Sequence, residues 1–206
     1  MPGYKHIALA LSLTLTPYVP TTWAASPLVV KVFIHDELAE VSEEKLKEDY
    51  FQYWLDEMRW IASNYPVELT FLRALPGITD IDYQALTAED MLERFKNSVD
   101  EIDTNEGFSY LKKNLLLTRN SYDRRTTGIA YDNHNYGIAS MDHYGIVGHE
   151  IGHMLSATHE NAQTRNNGWF CETYMAPERN PLRSNCYRYS DANRKLITDY
   201  LKYNSN

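Results

Sequence analysis

The stretch His149-Glu150-Ile151-Gly152-His153-Met154-Leu155-Ser156-Ala157-Thr158-His159 limits what this chain can fold into more than any other. On a helix, His149 and His153 lie one turn apart on the same side, so both imidazoles can reach one metal ion. Glu150 comes directly after the first of them, rotated by about 100°. There a carboxylate can hold and deprotonate a metal-bound water. Zn²⁺ suits imidazole and keeps an open position when the protein supplies only three ligands. His159 is the third ligand if the helix stops near Ser156 and the chain turns back beneath the metal. Glu160 and Glu172 are the alternatives, as in zinc sites whose third ligand is a more distant Glu.

An HExxH string arises by chance in about one chain in sixty of this size, and with the further His in about one in two thousand. The bland reading is a polar helix whose histidines are solvated or capping. Gly152 and the apolar Ile151, Met154 and Leu155 speak against it, because they put the motif on a buried helix. Unpaired imidazoles are costly there. His134 and His143, close by in sequence, read as surface or capping residues.

The chain has 206 residues, 43% hydrophobic and 23% charged, which suits one domain with a real core and no internal repeat. Residues 1–24 read as a secretory signal. Lys5 and His6 form a short basic start, Ile7 to Leu15 an apolar run, and Thr22-Trp23-Ala24 a cleavage site. The apolar run is too short to span a bilayer and Pro17 comes soon after it. A retained anchor is the alternative. Cleavage after Ala24 leaves a domain over 25–206, secreted or periplasmic, with no stable membrane association. The net charge of −8 excludes bulk attraction to nucleic acid. In an exported chain, Cys171 and Cys186 are expected to form a disulfide closing a short loop. Two free thiols or an oxidised metal site are the alternatives.

Periodicity predicts the elements. Leu28 to Ile34 reads as an inner strand covered on both faces. Ser42 caps a helix to about Asn64, with Leu46, Tyr50, Tyr53, Trp54, Met58 and Ile61 on its inner face. Strands are expected over 67–73, 115–118, 127–131 and 136–140, and Thr87 caps a helix over 88–101. Asp132 to Asn135 carries turn chemistry, and Asp142 is a candidate cap for the motif helix. Residues 160–189 read as irregular. Ser190 caps a last helix to about Tyr203, with Leu196, Ile197, Tyr200 and Leu201 inside. Strands alternating with helices predict a mixed α/β fold.

The pattern His149-Glu150-x-x-His153-x-x-Ser156-x-x-His159 resembles that of the metzincin zinc peptidases, HExxHxxGxxH with a methionine turn after it. Tyr174-Met175-Ala176-Pro177 suits that turn, with Met175 beneath the metal. The order of elements looks like the catalytic domain of the adamalysin, or reprolysin, branch. The resemblance implies a twisted mixed sheet of about five strands with an active-site helix. An upper part would cover 27–159, and a small irregular lower part 160–206 would end in a helix. It also implies that Tyr136, Gly137, Ile138, Ala139 and Ser140 form the edge strand on which an extended substrate lies by β-augmentation. Their plain reading is an ordinary sheet edge, and that of Met175 is core filler. Three departures stand out. Ser156 replaces a glycine. Cys171 lies four residues before Met175 where adamalysins have two, so their disulfide pattern does not carry over. No pro-domain or cysteine switch is expected between the signal and the first strand.

The function expected is a monomeric, exported zinc metalloendopeptidase with one catalytic Zn²⁺, cutting extended polypeptide. Glu150 serves as general base and passes its proton to the leaving amine. The alternatives are a zinc-stabilised binding or adhesion module without turnover, and a toxin-type protease of narrow specificity.

Overall fold

The computed structural model describes residues 26–102, 107–122, 126–166 and 168–205. The expected signal, residues 1–24, lies outside them. Five strands form the main sheet: β1 (Leu28–Ile34), β2 (Val67–Leu72), β3 (Lys112–Thr118), β4 (Gly128–Ala130) and β5 (Tyr136–Ser140), in the order β2-β1-β3-β5-β4. All neighbours run parallel except β4, which is antiparallel to β5.

Strand alternation sorts the apolar side chains onto two faces. Leu28, Val30, Val32 and Ile34 of β1, with Leu115 and Leu117 of β3, enter one core; Phe33, Leu116 and Ile138 enter the other. The second core is closed by helix α3 (Ala88–Ile102) through Met91, Leu92, Phe95 and Val99. Its N-terminus is capped as the sequence predicts, with Asp90 N–H donating to Thr87 Oγ1 at 3.1 Å. The first core is covered by three helical pieces. These are α1 (Glu43–Leu46) running through a π turn into α2 (Gln52–Ile61), the motif helix α4 (Ile146–Met154) and α5 (Asp191–Asn204). Ser42 and Ser190 cap as expected, accepting from Lys45 N–H and Asn193 N–H.

Four expectations are corrected. The π turn over Lys47–Phe51 inserts a residue into the first helix and rotates its later turns. The inner face therefore reads Leu46, Phe51, Trp54, Met58 and Ile61, and Tyr53 is exposed. Asp142 does not cap α4; its carboxylate accepts from Ser121 N–H, and Gly145 is the cap residue. Residues 160–189 are not wholly irregular. Strands β6 (Thr164–Asn166), β7 (Phe170–Glu172) and β8 (Ser184–Asn185) form a second small sheet.

The fourth correction concerns substrate pairing. Tyr136–Ser140 is not an edge: β5 is bonded to β3 on one side and β4 on the other, so both its backbone rows are used. Among the described residues the edge on this side of the sheet is β4, and β2 is the edge on the other. Local pattern does not separate two short adjacent strands; the partner across the sheet does.

Candidate metal centre

Three glycines explain how α4 is held. Gly145, Gly148 and Gly152 fall on one side of the helix, and the lower part of the chain packs onto the bare backbone there. A β-carbon at 148 would stand 2.6 Å from the Tyr174 ring, and one at 152 would stand 2.5 Å from Met175 Sδ and 2.8 Å from the Tyr189 ring. Met175 is fully buried, so the residue expected beneath the metal lies against the helix between the two motif histidines. The Tyr189 hydroxyl ties down the same face, donating to Gly148 O and accepting from Trp54 Nε1–H.

Helix α4 ends at Met154. Leu155 N–H bonds back to Ile151 O and Gly152 O, and Ser156 takes a left-handed φ of 74°. That reversal carries the chain back so that His159 returns to the motif. The three Nε2 atoms then converge: His149 to His153 at 3.1 Å, His153 to His159 at 3.0 Å, and His149 to His159 at 3.0 Å.

The protons on two of these rings, His149 and His153, are assigned by what their other nitrogens touch. His149 Nδ1 lies 2.7 Å from Tyr174 O, and a carbonyl only accepts. Nδ1 therefore carries the proton and Nε2 is a lone pair. His153 Nδ1 lies 2.9 Å from Asp132 Oδ1, with the same consequence. The lone pairs of His149 and His153, 3.1 Å apart, repel unless a cation or a proton on His159 Nε2 lies between them. A tetrahedral ion with Zn–N bonds of about 2.0–2.1 Å sets its nitrogens about 3.3 Å apart, close to the spacing found. The three histidines can hold a metal ion, and the donor set fits zinc.

Burial pushes His149 down to about 3, helped by neighbouring His153, and burial also lowers His153. Both are neutral near pH 7, as ligands must be. Glu150 is buried, and its carboxyl is raised well above the usual range by burial first and the Asp132 charge second. A bound cation would oppose that shift and favour the carboxylate. Gly128 leaves the room it occupies: a β-carbon there would stand 2.4 Å from Glu150 Oε1.

The site opens into a cleft of about 1070 Å³, walled by Gly128, Ile129 and Ala130 above and by residues 172–174 and 176–179 with Ser184 and Asn185 below. His143 is exposed, as a surface residue is expected to be, and borders the cleft without joining the three histidines. His134 packs instead among Phe108, Tyr131 and Tyr136. Glu160 is exposed. Glu172 lines the cleft, but Arg183 Nη1 and Asn180 N–H occupy its carboxylate at 3.0 and 3.1 Å. Cys171 and Cys186 form the expected disulfide. Sequence reasoning uses Gly152 but misses Asp132, Gly145 and Gly148. The glycines have a legible signal in their spacing of three and four within an apolar helix; Asp132 has none beyond its place in a turn.

No family model matches the chain, and no curated protein matches it. Among solved structures it is similar to metalloproteinase-II from Bacteroides fragilis, with a TM-score of 0.62 over 88% of this chain at 18% identity. It spans about half of that chain, 55% of its length. At this identity the likeness establishes a shared fold.

Proposed function

We propose that the protein is a zinc-dependent endopeptidase that hydrolyses peptide bonds in extended polypeptides. One observation carries the reading: three histidine Nε2 atoms within 3.0–3.1 Å of one another, with the buried Glu150 beside them on an open cleft. The shared fold with a protein named a metalloproteinase supports it. Zinc in such a site lowers the pKa of bound water towards 7 and polarises a carbonyl oxygen.

The chain's own residues do the rest. His149, His153 and His159 bind the metal, and Met175 packs beneath the helix that carries two of them. Glu150 takes the proton of the attacking water and delivers it to the leaving amine. Strand β4 holds the substrate. Thr127 O and Tyr131 N–H bond inward to β5, so by alternation the N–H and C=O groups of Gly128 and Ala130 point to the cleft. An extended peptide adds there as another strand.

Export is part of the proposal. The disulfide belongs to an oxidising compartment, and no helix among the described residues is long and apolar enough to cross a membrane.

Glu150→Gln tests the assignment. Zinc should stay at one ion per chain while cleavage of casein falls by about 10²–10⁴-fold. Cleavage at the parental rate would remove Glu150 from its role. A chain that binds zinc yet never cleaves peptides, before or after chelation and zinc restoration, would leave the binding-module reading.

A further inference from the structure

The turn Asp132-Asn133-His134-Asn135 joins β4 to β5, and although Asp132 and Asn133 are exposed it bonds to the last turn of the motif helix. Asp132 Oδ1 accepts from His153 Nδ1 at 2.9 Å, and Asn133 N–H donates to His153 O at 3.0 Å. Ser156 Oγ donates to Asn133 Oδ1. Lys113 Nζ, fully buried, closes the arrangement by donating to His134 O and Met154 O, both at 2.9 Å.

Two residues in this contact hold left-handed backbones although neither is glycine: Asn133 at φ 57° and Ser156 at φ 74°. Such a backbone is disfavoured for any residue with a β-carbon, though Asn tolerates it through local hydrogen bonding. Ser156 is the point at which the chain reverses to bring His159 back. Its hydroxyl is bonded across to Asn133, which is itself anchored to the backbone of His153. The position that delivers the third histidine is thus held by the turn that orients the second.

We propose that Asp132 and Asn133 are positioning residues of the metal centre, Asp132 fixing the ring and tautomer of His153 and Asn133 locking the Ser156 reversal that places His159. This rests on the three-histidine metal reading. A carboxylate on the far nitrogen of a ligating histidine sets which nitrogen faces the metal and makes it more basic. The Asn133–Ser156 bond does the work that a glycine at 156 would do without a partner.

The test reads zinc affinity by competition with a chromophoric chelator, together with the unfolding midpoint of the metal-free protein. Asp132→Ala should weaken zinc by about 10–100-fold. Asp132→Asn should recover most of that, because the amide oxygen still accepts from Nδ1. The metal-free midpoint should not move, since the Asp132 side chain is 74% exposed. Asn133→Gly keeps the left-handed backbone and removes only the amide. It should weaken zinc about 5–10-fold, the worth of one hydrogen bond, in the parent but not beside Ser156→Gly. Unchanged affinity in Asp132→Ala, or an equal loss from Asn133→Gly in both backgrounds, overturns the proposal. A parent that holds no zinc would overturn the metal reading with it; a zinc-binding parent with indifferent variants overturns only the role of the turn.

Discussion

Gly152 sits between the two motif histidines, and a single methyl group there would meet Met175 Sδ at 2.5 Å and the Tyr189 ring at 2.8 Å. Neither neighbour is free to withdraw, because both are fully buried. Gly152→Ala should therefore destabilise the fold by about 1–3 kcal/mol, the usual cost of overpacking, read from urea unfolding of the zinc-free protein. An unshifted midpoint would mean that the lower part is not seated on α4 as described. His149 gives a second expectation. In zinc-free protein its folded value is about 3, whereas an unfolded histidine titrates near 6.5. Between those values the unfolded chain takes up a proton that the fold refuses. Stability is thus present above pH 6.5 and is lost as pH falls towards 3, by at most about 1.4 kcal/mol per pH unit. His149→Asn should flatten this slope in urea titrations run with chelator; an identical slope would show that the ring is not buried. The three histidines and Glu150 are legible in sequence because spacing within one helix and its exit determines where they point. Asp132 is not, since its partner His153 lies 21 positions away and nothing local marks that pairing.

Among the elements, β4 matters most to the proposed activity. Its outward row, Gly128 and Ala130, carries the backbone groups an added strand would use. Ala130→Pro removes one outward N–H without breaking the ladder to β5, a substitution that sheet edges tolerate. KM for extended peptides should rise about 5–10-fold, the worth of one hydrogen bond, with kcat and zinc content little changed. Equal kinetics for parent and variant would place the substrate elsewhere. Sequence periodicity locates this strand to within a residue at each end, and β5 beside it, but the edge falls to the other of the two. The first helix teaches the same point. Its cap at Ser42 is local chemistry and is readable, while the π turn at Lys47–Phe51 exchanges Phe51 for Tyr53 on the buried face. Strict 3.6-residue periodicity carries no sign of such an insertion.

Over the whole molecule, the small lower part shares the first core with the main sheet and its helices, and buried polar links join the two. Glu57 of α2 accepts from Tyr189 N–H at 2.9 Å and from Arg194 Nε and Nη2 at 2.7 and 2.6 Å. The Cys171–Cys186 bridge, 15 positions apart, constrains the cleft's lower wall. Replacing both cysteines with serine should cost about 3 kcal/mol, seen as a lower thermal midpoint with zinc still bound. A midpoint unchanged under non-reducing conditions would mean that the bridge adds nothing to the fold. The amino-acid sequence alone determined the spacing of the three histidines, the helix caps at Ser42, Thr87 and Ser190, the alternation that divides the sheet into two cores, and the disulfide. Each of these comes from residues a few positions apart, or from two cysteines in a short loop. Only the tertiary structure decided that β4 and not β5 is an edge strand, which carboxylate bonds to His153, where buried Lys113 sends its protons, and how residues 164–185 make a second sheet. Those depend on partners brought together from distant parts of the chain, and hydrogen bonds of that kind are selected by packing rather than by local pattern.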